Sequence, residues 1–212
     1  MKIFAVSGYK NSGKTTLCRK LLAELTSRGL KVAYVKRTHE SVMPSADSDT
    51  GSIALKGIPS LLAGSDGVRL EEVLPEEISP IVLARRYFPH ADVVLVEGGK
   101  NLPLPKIWVI NNGEVPPAFP GIWAIYDRWG ASGAMEHPCF ISGQEGDLAD
   151  RMATDAVKGY RSARVCVGQK ELPLKSFIAD FISRSVRGML SSLKEGEAHG
   201  QDVTIYLPRE DK

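Results

Sequence analysis

Cysteine is scarce in this chain: Cys18, Cys139 and Cys166 are its only three among 212 residues, far apart and without Cys-x-x-Cys spacing. Neither a disulfide framework nor a thiolate zinc site is expected from so few. Charge of one sign is also lacking. The 27 lysines and arginines nearly cancel the 25 aspartates and glutamates, and neither sign forms a long block, so nothing in the balance calls for nucleic acid. Apolar runs are short. None approaches the roughly 18 residues needed to cross a bilayer, and the opening MKIFAVSGYK runs into a glycine-bearing loop without a small-residue cleavage site, unlike a secretory signal. The expectation is a cytoplasmic protein with no membrane partner. No internal repeat or low-complexity segment is visible. What is present is 43% hydrophobic residues, enough to bury a core.

That hydrophobicity is arranged in alternating periods. Residues 3–7 (IFAVS) form a short apolar run stopping at Gly8, as expected of a buried strand in a parallel sheet. Leu17, Cys18, Leu21, Leu22 and Leu25 then recur at helical spacing, with Arg19, Lys20 and Glu24 opposite and Gly29 as the stop. KVAYVK at 31–36 reads as a second strand, and the right-handed crossover rule makes it a parallel partner of the first. Residues 40–52 are polar and aperiodic, a long loop near a ligand. Beyond it the pattern predicts a helix at 52–58, short strands at 60–64 and 68–70, and a helix at 79–88 capped by Ser79 with Pro80 in its first position. DVVLVE at 92–97 is the clearest buried strand, followed by Gly98 and Gly99; further strands are expected at 107–110 and 121–126, and a helix at 147–158. Strands alternating with helices predict an α/β sandwich. From about residue 161 the pattern changes to a hairpin turning at Gly168 and Gln169, an amphipathic helix over 175–193 and a final strand, DVTIYLP. The expected division is a main domain at 1–160 and a small α+β module at 161–212.

The chemistry is concentrated where the first strand meets the first helix. Gly8, Gly13, Lys14 and Thr15 match G-x-x-x-x-G-K-[ST], between a predicted strand and a predicted helix. Successive backbone N–H groups through Lys10, Asn11, Ser12 and Gly13 would form an anion nest, to which the helix adds unsatisfied N–H groups and a positive dipole end. Lys14 would reach the β and γ phosphates of GTP or ATP, Thr15 would ligate Mg²⁺, and Thr16 would bond the α phosphate. Glu97, at the carboxyl end of a buried strand, is the candidate second Mg²⁺ residue, bound directly or through water. Lys36, Arg37, His39 and Asp47 are weaker candidates on the polar loop, where Asp49 is the candidate second carboxylate for metal or for attacking water. No Asn-Lys-x-Asp signature identifies the base; Asn111, Asn112, Glu114 and Asp127 are alternatives.

These segments resemble the molybdopterin-guanine dinucleotide biosynthesis protein B family, MobB. The resemblance rests on GYKNSGKTTL at 8–17, VKRTHE at 35–40, the Asp49-Thr50 pair and VLVEGGKNLPLPKI at 94–107. Within the last segment Glu97, Gly98, Lys100, Pro103, Pro105 and Lys106 follow the family pattern, whereas Gly99 stands where a bulky residue is common. It covers about residues 1–158. The resemblance implies a P-loop GTPase fold, usually homodimeric, that binds GTP and Mg²⁺ and assists a separate molybdopterin guanylyltransferase partner. The expected fold class is therefore a three-layer α/β sandwich of the P-loop NTPase type with a mostly parallel sheet. The expected activity is slow GTP hydrolysis by an adaptor. Two alternatives are a small-molecule kinase, for which only Arg85 and Arg86 are adjacent arginines, and a metallochaperone GTPase, for which no histidine or cysteine cluster is visible.

Overall fold

A computed structural model describes residues 1–74, 78–111, 119–130, 136–158, 162–167, 170–193, 203–205 and 207. Its centre is a six-stranded sheet of β1 (Lys2–Gly8), β2 (Val32–Lys36), β5 (Val93–Glu97), β6 (Lys106–Ile110), β7 (Ile122–Asp127) and β8 (Cys139–Ile141), in the order β2-β5-β1-β6-β7-β8. Every pairing within it is parallel. The second strand was expected beside the first, but β5 lies between them. Burial explains the order: all five residues of β5 are buried and need a neighbour on each edge, whereas β2 is half-buried and ends the sheet.

Side-chain alternation sorts the two faces. Phe4, Val6, Val93, Leu95, Ile107 and Val109 point to the face covered by α1 (Lys14–Ser27) and α4 (Glu145–Lys158). On the other face, Ile3, Ala5, Val94 and Val96 pack with Ala84 of α3 (Pro80–Tyr87). The apolar stripe of α1 falls where the spacing predicted: Leu17, Cys18, Leu21 and Leu25 are buried. Truncating such a leucine costs about 2–5 kcal/mol.

Outside the sheet, β3 (Ser60–Ala63) and β4 (Val68–Glu71) form an antiparallel ribbon next to α2 (Asp49–Ala54), and β9 (Cys166–Val167) with β10 (Lys170–Glu171) forms a second ribbon before α5 (Ser176–Ser191). Helix α2 starts earlier than the expected residue 52 because Ser48 caps it, its side chain accepting from the Gly51 N–H at 3.1 Å. Ser79 caps α3 as predicted, accepting from Ile81 N–H. Strand β8 was not expected; three half-exposed residues after Pro138 carry no readable period. The turn at Gly168 and Gln169 lies outside the described residues, and the described residues of the expected last strand, 203–205 and 207, are not in a strand.

Candidate functional site

The loop from Gly8 to Gly13 joins the carboxyl end of β1 to the amino end of α1, and its backbone is built for an anion. Asn11 and Gly13 adopt left-handed conformations, with φ of 63° and 93°. A Cβ on Gly8 would lie 2.4 Å from the Val109 carbonyl oxygen and 2.7 Å from Ser12 Oγ, so the loop closes this tightly only around glycine. Helix α1 has no side-chain cap and no acidic residue in its first turn. It begins with Lys14, a cation at the positive end of a helix dipole, which is unfavourable until an anion arrives. Ser12 Oγ points the same way, being buried without a hydrogen-bond partner. Lys10 and Thr16 are exposed beside the nest.

Alternation along β5 places Glu97 on the same face as Val93 and Leu95, beneath α1. Its carboxylate meets Thr15: Oγ1 donates to Oε1 at 2.8 Å. Tyr34, on β2 across the same face, donates to Oε2 at 2.5 Å. Burial and that bond together push the Tyr34 phenol well above its ordinary pKa, so it remains a donor. The backbone behind Glu97 is tied on both sides, with Arg37 N–H donating to its carbonyl at 3.1 Å and Gly98 N–H donating to the Val6 carbonyl at 2.9 Å. Ser7 Oγ donates to the Gly98 carbonyl at 2.8 Å. A hydroxyl and a carboxylate oxygen at this separation are hard ligands of the kind Mg²⁺ takes beside a nucleotide. The residues present therefore fit a metal–triphosphate pair.

Two lysines border the cradle. Lys14 Nζ donates to the Tyr9 carbonyl, and Lys100 Nζ lies 4.6 Å from the centroid of the Tyr9 ring. Burial holds the Lys14 ammonium below its ordinary pKa; Glu97 draws it back up and Lys100 pushes it down. Tyr9 in turn meets Trp108 edge-on at 5.7 Å. Cys18, one turn into α1, is pushed up to about 12 by burial and by Glu97, which removes it from thiolate chemistry.

The other candidates stand apart from this centre. Asp49 is the exposed first residue of α2, and among the described residues its carboxylate makes no hydrogen bond to the P-loop. Asp47 pairs with Ser45, and His39 is exposed. Asp127, buried at the end of β7, accepts from Trp129 N–H at 2.9 Å, while Asn112 and Glu114 lie outside the described residues. Arg86 is held by Glu72 and by the Tyr87 ring rather than by any lid over the loop. A hollow of about 230 Å³ between β2 and α3 lies at the amino edge of the sheet, away from the loop chemistry. One contributor escaped the sequence reading, and a second was singled out only through the family pattern. Tyr34 sits in an ordinary apolar strand pattern with nothing to mark it. Lys106, named above as part of the family pattern but given no role there, is fully buried, its Nζ donating to the carbonyls of Leu102, Leu104 and Pro120 at 2.5, 3.3 and 2.8 Å.

Several known proteins are similar to this chain in sequence or in architecture. The family described as molybdopterin guanine dinucleotide synthesis protein B matches residues 3–121. A molybdopterin-guanine dinucleotide biosynthesis adapter protein of Haemophilus influenzae is 31% identical over 123 residues, 57% of this chain and 68% of its own. Among solved structures, a molybdopterin-guanine biosynthesis protein B superposes with a TM-score of 0.59 at 25% identity, over 72% of this chain and 98% of its own. A MobB homolog from Bacillus stearothermophilus shares the fold, with a TM-score of 0.55 at 23% identity over 74% of this chain and 99% of its own. By the extent of the family match, the chain belongs to the molybdopterin guanine dinucleotide synthesis protein B family.

Proposed function

We propose that this protein is a GTP-binding adaptor with slow hydrolysis that serves molybdopterin guanine dinucleotide synthesis, working as a homodimer with a molybdopterin guanylyltransferase. The observation that carries the nucleotide is the 2.8 Å contact from Thr15 to Glu97 at the uncapped start of α1. The pathway rests on family membership and on the adapter named in Haemophilus influenzae. In this reading the nest from Gly8 through Lys10, Asn11, Ser12 and Gly13 holds the phosphates, with Thr16 at the α phosphate. Lys14 would reach the β and γ phosphates, Thr15 and Glu97 would hold Mg²⁺, and Asp49, at the start of α2, would supply the second carboxylate. Held by Thr15 and Glu97, Mg²⁺ would supply positive charge to the phosphate oxygens. The chain's own residues act by positioning the phosphates and supplying charge, and turnover without a partner is expected to be slow. Residues 1–160 form the nucleotide unit and 161–212 a separate module.

The test is equilibrium binding of GTP and ATP with and without Mg²⁺, followed by single-turnover hydrolysis with purified protein. Tighter binding of GTP than ATP, strengthened by Mg²⁺, with hydrolysis slower than about 0.1 s⁻¹, well below ordinary enzyme turnover, is expected. Absence of nucleotide binding overturns the reading, and rapid unassisted hydrolysis overturns the adaptor role.

A further inference from the structure

Lys100 has a position that the nucleotide site described so far does not use. Gly98 and Gly99 follow β5 with φ of 97° and 72°, two successive left-handed residues that reverse the chain at the sheet edge. Leu102 N–H closes the reversal on the Gly99 carbonyl at 3.0 Å. The far side of the loop is fixed by Lys106, whose buried ammonium binds the carbonyls of Leu102 and Leu104. Lys100 is thereby held between a glycine reversal and a buried anchor, and its ammonium rests on the ring of Tyr9, inside the P-loop.

Lys14 rests on the same residue, through its carbonyl. Two ammonium groups thus meet Tyr9, Lys14 at its carbonyl and Lys100 at its ring, and among the described residues neither is in an ion pair. Glu97, the carboxylate that acts on Lys14, is engaged by Thr15 and Tyr34. Like charges brought together with no ion-pair partner among the described residues mark a place for an anion of more than one charge. Lys14 serves the β–γ junction in any P-loop. Lys100 approaches the same loop from a different element, the turn after β5.

We propose that Lys100 moves from the Tyr9 ring onto the γ phosphate of the bound nucleoside triphosphate, and is the in-chain cation that distinguishes triphosphate from diphosphate. The inference rests on the nucleotide reading above. In hydrolysis, water oxygen bonds to the γ phosphorus while the bond from that phosphorus to the β–γ bridging oxygen breaks. The diphosphate leaves with the electron pair, and the water's protons pass to phosphate and solvent. Lys100 keeps its own proton and supplies charge to the γ oxygens.

The experiment uses the full chain with Mg²⁺, measuring affinity for a slowly hydrolysed triphosphate, GTPγS, and for GDP, together with single-turnover GTP hydrolysis, in wild type, Lys100→Ala and Lys100→Arg. A lost charge-assisted bond predicts GTPγS binding weaker by about 10- to 100-fold in Lys100→Ala, with GDP binding within about twofold of wild type and hydrolysis slowed by at least tenfold. Lys100→Arg should recover most of the triphosphate affinity. A packing role alone would weaken GTPγS and GDP equally, and that outcome overturns the proposal, as does an unchanged Lys100→Ala. Wild type that binds neither nucleotide overturns the functional reading itself, which separates the two failures.

Discussion

Glu97 is more than 90% buried, yet among the described residues it is held by two hydroxyl donors and is in no ion pair, an arrangement that stores acceptor capacity for a metal. Thr15 and Tyr34 hold its two oxygens separately, so their removal should be separable. Thr15→Ala deletes a proposed Mg²⁺ ligand and should abolish the Mg²⁺-dependent part of GTP affinity. Tyr34→Phe leaves the ligand set intact and frees Oε2, so Mg²⁺ should bind with an affinity lower by about tenfold while Mg²⁺-free binding is unchanged. Titrating Mg²⁺ at fixed nucleotide separates these outcomes, and a Tyr34→Phe curve that overlays wild type would remove the tyrosine from the site. At this scale the sequence was informative wherever backbone conformation demands a residue type. Gly8, Gly13 and Lys14 were readable because few residues can replace them there. Tyr34 was silent because a strand tolerates tyrosine for packing alone, and its hydrogen bond depends on β2 and β5 being neighbours, which no local pattern specifies.

Helix α4 shows how one element is fixed to the site's scaffold. Its first residue, Glu145, has a side chain only 9% exposed, accepting from Lys20 of α1 at 2.6 Å, from Tyr126 of β7 at 2.6 Å and from Gly143 N–H at 2.9 Å. Burial alone would raise its pKa; Lys20, Tyr126 and the backbone N–H groups outweigh burial and hold it at about 2, below the ordinary 4.5. A carboxyl with a depressed folded pKa contributes stability that is complete above about 4.5 and is lost as pH falls towards 2. Wild type should therefore lose melting temperature steeply below pH 4.5, whereas Glu145→Gln should start lower at pH 7, by about 1–3 kcal/mol, and fall less. Lys20 is half in solvent, which keeps the expected loss in the lower part of that range. Thermal melts from pH 7 to pH 3 check it; parallel curves for the two proteins would contradict it. The helix itself was visible from its period, but its start at Glu145 rather than 147 was not, because the anchor comes from α1 and β7.

For the whole molecule, the order of the sheet was less readable than its strands. The crossover rule gave parallel direction correctly and adjacency wrongly, since handedness does not say how many strands a helix crosses. The same limit applies to the proposed homodimer, for which two apolar surfaces stand out among the described residues. On α5, Phe177 and Phe181 are 68% and 69% exposed. On the β3–β4 ribbon, Leu61 and Val68 are 61% and 73% exposed, with Ile53, Leu55 and Ile58 continuing the patch from α2 to the ribbon. The two surfaces differ in what they need. A helix satisfies its own backbone, but a two-stranded ribbon presents unpaired N–H and C=O groups along both edges and is marginal without further strands or a packed face. A two-fold dimer in which ribbon meets ribbon supplies both edge pairing and apolar cover through one self-complementary contact. The proposed homodimer is therefore expected to dissociate in a Leu61→Asp/Val68→Asp variant and to persist in Phe177→Asp/Phe181→Asp. Light scattering across a dilution series reads the result directly. Loss of the dimer only in the α5 variant would move the interface to that helix, and a monomeric wild type would end the homodimer proposal.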